Sequence, residues 1–180
     1  MYREISVDSE TGSLSLSTAD VKSYLKIDYS DDDTLIQNMI TSARVYLENY
    51  LSRDLVAKSR KYYIPLSETG KFDIPFSPIN SITNVQVDGL NLETGSYEVN
   101  GIKNKSIDLK QTNAKNVIVT YNTKSIAEQD DIQINAVHHA IKIIVADLYE
   151  NRTNYVIGQT INSIPIGAKN LVAGFKSMYV

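Results

Sequence analysis

The sequence contains no cysteine and no tryptophan, and only two histidines, three phenylalanines and four prolines among its 180 residues. Without cysteine, disulfides, thiolate metal ligands and thiol nucleophiles are excluded, so stability has to come from packing or from association. No apolar run approaches the roughly 18 to 20 residues that cross a bilayer. Met1-Tyr2-Arg3-Glu4 lacks the apolar stretch of a secretory signal, so the chain is expected to stay in the compartment where it is made, without a membrane partner. A basic surplus is missing too. Eighteen lysines and arginines stand against 21 acidic residues, for a net charge of −3, whereas chains that grip phosphates gather positive charge on one face or tail. Sequence-specific DNA binding is therefore not expected.

What is present suits one folded domain over 1–180: 42% hydrophobic and 22% charged residues, in a chain long enough to bury a core. It divides into a polar N-terminal extension (1–15), a helical stretch (17–51), a β-rich stretch (59–122), a long helix (130–151) and a C-terminal arm (152–180). Ser17-Thr18-Ala19-Asp20 reads as a capping box opening a short helix to about Lys26. Asp31, Asp32 and Asp33 precede a long helix, because Leu35, Ile36, Met39, Ile40, Ala43, Tyr46, Leu47, Tyr50 and Leu51 follow helical spacing. Arg44, Glu48 and Asn49 fall toward its opposite or flanking surface.

Between Ser59 and Asn122 the period changes to short β runs: Lys61–Ile64, Phe72–Ile74, Ser81–Val87, Tyr97–Val99, Ser106–Leu109 and Val117–Tyr121. Asp88-Gly89 and Asn100-Gly101 are hairpin signals, since tight turns need positive φ. Helix returns near Asp130-Asp131, with Ile134, Val137, Ile141, Ile144, Val145 and Leu148 as its apolar stripe, and a short helix is expected from about Ala168 to Ser177. Within 153–164, Tyr155, Val156, Ile157, Ile161 and Ile164 lack a clear period. Such a segment either folds back on its own domain or adds a strand to a neighbouring subunit.

Catalytic chemistry is hard to assemble from these residues. His138 and His139 are adjacent on a helix, about 100° apart around its axis, so they do not aim at one ion. Asp28, Asp31, Asp32 and Asp33 lack the glycine and distal glutamate of an EF-hand and suit a helix N-terminus instead. No glycine-rich loop has P-loop spacing. The expectation is a non-enzyme with no catalytic residues, no cofactor and no metal. The 12 tyrosines point toward boundaries and interfaces, where a large ring with a polar tip is useful; Tyr62, Tyr63, Tyr121, Tyr149 and Tyr155 serve equally as edge-of-core residues.

Three groups of segments together resemble the head-tail connector (adaptor, head-completion) family of tailed bacteriophages. The first is Leu16 to Asp28 with Asp31-Asp32-Asp33-Thr34-Leu35-Ile36 and Ala43 to Tyr50. The second is Ile74-Pro75-Phe76-Ser77-Pro78-Ile79-Asn80-Ser81-Ile82. The third is Leu148-Tyr149-Glu150-Asn151-Arg152, followed by Ile164-Pro165-Ile166-Gly167 and Leu171. The departures are a longer polar N-terminus before Leu14 and a longer sheet region.

With this resemblance the expected fold is α+β, a mainly helical connector fold with two long helices bracketing a small antiparallel β region, plus a C-terminal arm and short helix. The resemblance implies a structural protein of the virion neck, assembled in the host cytoplasm. In it about twelve copies form a ring. The implied partners are the chain itself, the portal protein, a tail-side stopper or adjacent ring protein, and DNA that passes through the channel without sequence-specific binding. The implied assembly interface is Tyr149, Asn151, Arg152, Tyr155, Ile157, Ile164, Pro165 and Leu171. Arg152 also suits a cation at a helix C-terminus. The alternatives are a small phage accessory nucleic-acid-binding or regulatory domain, which needs Lys22, Lys26, Arg44, Lys58, Arg60 and Lys61 gathered on one surface, and a hydrolase using His138 or His139.

Overall fold

A computed structural model describes residues 3–130, 132–151 and 165–177. Its described residues form two compact units, one within 1–13, 52–129 and 177–180, the other within 14–51 and 130–176.

The first unit is built from strands: β1 (Glu4–Thr11), β2 (Ala57–Ser67), β3 (Lys71–Asp73), β4 (Ile79–Val87), β5 (Leu90–Asn91), β6 (Tyr97–Asn100), β7 (Ser106–Leu109) and β8 (Ala114–Thr123). They make two sheets, ordered β1-β2-β8-β4-β5 and β3-β7-β6, with every pairing antiparallel. Alternation explains the strands. Along β8, Val117, Val119 and Tyr121 turn inward, and along β2, Tyr62 and Ile64 do the same. They meet Phe72, Ile107 and Leu109 of the smaller sheet, and Ile74 just past β3, in one apolar core, where each buried aliphatic side chain contributes about 1.5–3 kcal/mol.

Asp88 and Gly89 join β4 to β5 with φ of 50° and 80°, the left-handed pair a two-residue turn requires. Asn100-Gly101 behaves differently: Asn100 ends β6, and a longer loop from Gly101 leads to β7.

These strands overturn the expected mainly helical architecture. Eight strands in two sheets stand beside four α-helices among the described residues, and β1 precedes the first helix, so the helices do not bracket the sheet. The extension 1–15 contains β1 because its polar residues need no buried face at a sheet edge. All eight of its residues are exposed, and only Ile5 and Val7 alternate with polar residues, a period-2 signal too short to read as a strand.

The second unit contains α1 (Thr18–Leu25), α2 (Asp33–Leu51), α3 (Ile134–Glu150) and α4 (Ile166–Val172), the last followed by a 3-10 turn, Ala173–Phe175. Ser17 and Asp20 cap α1 reciprocally. Ile36, Ile40, Ala43, Leu47 and Leu51 bury one face of α2, and Val137, Ile141, Ile144 and Val145 one face of α3. Arg44 and Glu48 are also buried on α2 rather than on its outer surface, because each supplies the other with an opposite charge at i, i+4, 3.5 Å away.

Candidate assembly surface

Within the second unit, the C-terminal end of α3 is fixed by a tyrosine pair. The Tyr149 hydroxyl donates to Asp32 Oδ2 at 2.5 Å, and the Tyr29 hydroxyl, 2.8 Å away, donates to Tyr149 Oη. The Asp32 carboxylate, followed by Tyr29, raises the Tyr149 phenol well above its ordinary value of 10, so it remains a neutral donor in water at any physiological pH. Asn151 closes the helix: its N–H donates to the Asp147 carbonyl at 2.9 Å and its Nδ2 to Asp147 Oδ1 at 3.0 Å.

Pro165 opens α4 by accepting from the Ala168 N–H at 3.0 Å. Ala168 and Val172 turn inward, whereas Ile166 is 73% and Leu171 41% exposed. The cations beside them are drawn away. Lys169 Nζ lies 5.9 Å from the ring centres of both Tyr46 and Tyr50, and Lys176 Nζ 5.2 Å from Tyr50. Gly167 and Asn170 complete an uncharged, partly apolar outer face. Of the residues expected at an assembly interface, the structure therefore puts Tyr149 and Asn151 at the end of α3, and Pro165 and Leu171 on α4. Arg152, Tyr155, Ile157 and Ile164 lie outside the described residues, as does the whole stretch 153–164. Tyr29 was not visible as a site residue, because nothing local ties it to a helix end 120 residues later.

The other candidates separate. His138 Nε2 lies 3.1 Å from Ser15 Oγ, and burial, then Lys142, pushes its imidazole below the ordinary 6.5. His139 instead meets the Tyr24 ring edge-on. Five of the six basic residues face carboxylates of their own unit. Lys22 pairs with Asp33 at 2.6 Å and Lys61 with Asp8 at 2.7 Å. Arg44 faces Glu48, and both Lys58 and Arg60 are buried against Asp54. Lys26 is the C-cap of α1, with φ of 58°.

Residues 16–93 match the phage gp6-like head-tail connector protein family. The matched stretch covers α1, α2 and β2 through β5, including the first two groups of segments on which the resemblance to head-tail connectors rests. Comparison with curated proteins gives no match. Among solved structures, the chain is similar to one in the virion of a native gene transfer agent (GTA) particle, at 12% identity and a TM-score of 0.73, over 98% of this chain and 96% of that one. It is also similar to a chain from the neck of an empty GTA particle computed with C6 symmetry, at 14% identity and a TM-score of 0.69, over 100% and 97%. A third, from the neck of a native GTA particle computed with C12 symmetry, has 12% identity and a TM-score of 0.66, over 96% of both chains. At these identities the likeness is one of fold, and it extends over nearly the entire chain.

Proposed function

We propose that this chain is a structural subunit of a phage-like virion neck, forming a ring that joins the portal of the head to the tail and continues the DNA channel. The observation that carries this reading is the coincidence of the connector-family match over 16–93 with a fold likeness to GTA neck chains over almost the full length. The role is structural rather than catalytic, and the ring, the portal and a tail-side ring protein are its partners.

The uncharged face of α4, with Ile166 and Leu171, together with the braced end of α3 at Tyr149 and Asn151, forms the portal-facing or neighbour-facing surface. An apolar patch rimmed by polar groups is what such a contact needs. Arg152, Tyr155, Ile157 and Ile164 belong to the same proposed contact. Both units serve one connector subunit.

The test is to mix purified chain with portal protein from the same genome and to determine mass by light scattering and symmetry by negative-stain microscopy. One added copy per portal subunit, in a ring, is the expected result. A chain that remains free well above micromolar concentration sinks the proposal.

A further inference from the structure

The turn after β6 sets a glycine directly behind an exposed asparagine. Asn100 is the last residue of β6, opposite Ser106 of β7, and β6 is an outer strand, so Asn100 is paired on one side only. Its carboxamide is exposed and makes no hydrogen bond among the described residues. The carboxamides of Asn84, Asn104, Asn116, Asn122 and Asn151 are all hydrogen-bonded. Asn100 is also the one asparagine in the sequence that a glycine follows. The turn itself demands that glycine. Its φ is 93°, and a Cβ there would stand 2.0 Å from the Asn104 carbonyl oxygen, so no bulkier residue can take the place and shield the Asn100 side chain.

A free carboxamide beside an unshielded peptide nitrogen is set up for an intramolecular reaction, in which proximity replaces collision. Hydroxide takes the Gly101 N–H proton and the nitrogen forms a bond to Asn100 Cγ. The Cγ–Nδ2 bond breaks, and ammonia leaves with a proton from water. Water then opens the cyclic imide. Opening at Cγ gives aspartate. Opening at the backbone carbonyl gives isoaspartate, whose peptide bond runs through Cγ and so adds a methylene to the main chain.

We propose that Asn100 is a site of spontaneous deamidation, and that its isoaspartyl product frees the loop 101–105 from the body of the first unit. The added methylene pushes Gly101 against the Asn104 carbonyl, where there is no room for it. Asn104 is the anchor of the loop. Its Oδ1 accepts from the fully buried Ser77 hydroxyl at 2.5 Å, and Ser77 Oγ lies 2.9 Å from Ser177 Oγ. Displacing Asn104 therefore breaks a buried hydrogen-bonded chain that ends on the C-terminal segment.

The reaction needs only this chain and water, so the test uses the full-length protein alone. It is held in mildly alkaline buffer and mapped peptide by peptide by mass spectrometry. The peptide containing Asn100 is expected to gain the mass of an amide-to-acid exchange and to split into two products of equal mass, one of them a substrate for isoaspartyl methyltransferase. Asn100→Gln is expected to abolish both, because the longer side chain closes its ring far more slowly. Hydrogen exchange at the amides of 101–105 is expected to quicken in the aged wild type and to stay unchanged in Asn100→Gln. Conversion no faster than at the other asparagines, or conversion only in denaturant, overturns the site. Conversion without faster exchange overturns the release of the loop.

Discussion

Asp54 has a fully buried carboxylate, and its neighbours explain how the fold tolerates it. Arg60 donates through Nε at 2.8 Å and Nη2 at 2.6 Å, Thr123 Oγ1 donates at 2.7 Å, and Lys58 Nζ lies at 3.4 Å. The Arg60 guanidinium also sits 3.7 Å above the Phe76 ring. Removing the carboxylate of such a buried set takes away the counter-charge that Arg60 and Lys58 share, which costs about 3–5 kcal/mol. Asp54→Ala is expected to lose that much in urea denaturation, and a loss under about 1 kcal/mol would mean that water enters and solvates Arg60.

Ser17 works at lower stakes. Its hydroxyl, then its backbone N–H, donates to Asp20 and lowers that carboxyl below its ordinary 3.8. A depressed folded-state value means stability present above the unfolded value and lost as pH falls through the folded one. Ser17→Ala is therefore expected to destabilise the chain at neutral pH. The gap from wild type should narrow as the pH drops below 3.8, as followed by thermal melts across that range. Ser125 and Glu128 repeat the arrangement.

Among the elements, those that announce themselves in sequence are the ones with a buried face. The α2 and α3 stripes repeat at helical spacing, and β2, β4 and β8 alternate or run apolar, so their positions are legible from local pattern. β1 is not, because an edge strand exposed along its whole length obeys no burial period and is held by backbone pairing to Ala57–Tyr63, residues far along the chain. For the same reason the sheet appears smaller in sequence than in structure, and the fold more helical than it is. At the candidate surface, Leu171 and Pro165 enter only through the resemblance to head-tail connectors, and the brace from Tyr29 and Asp32 to Tyr149 depends on tertiary proximity. The exposed face of α4 gives an element-scale prediction. Leu171→Glu is expected to change stability by only about 0.5 kcal/mol, as surface substitutions do, while abolishing ring formation on portal. Equal loss of melting temperature and assembly would instead assign Leu171 to the fold.

For the whole molecule, charge decides between a ring that lets DNA pass and a module that grips it. Binding to a duplex releases counterions in proportion to the phosphates neutralised, so affinity falls with salt at a slope of about −0.9 per contact. This chain has a net charge of −3. Of the six basic residues that a nucleic-acid surface would draw on, Lys22, Arg44, Lys58, Arg60 and Lys61 are engaged by Asp33, Glu48, Asp54 and Asp8. An ion pair holding a lysine has to break before a phosphate can take its place, which removes most of the electrostatic gain. In the ring proposed above, the acidic balance would be multiplied by the number of copies, which is compatible with a channel to which DNA does not adhere. Fluorescence anisotropy with a short duplex is expected to give negligible affinity and a salt slope near zero, for the isolated chain and for the ring on portal alike. A slope of several units would mean that these pairs open to receive phosphate, and would favour the nucleic-acid-binding module over the connector.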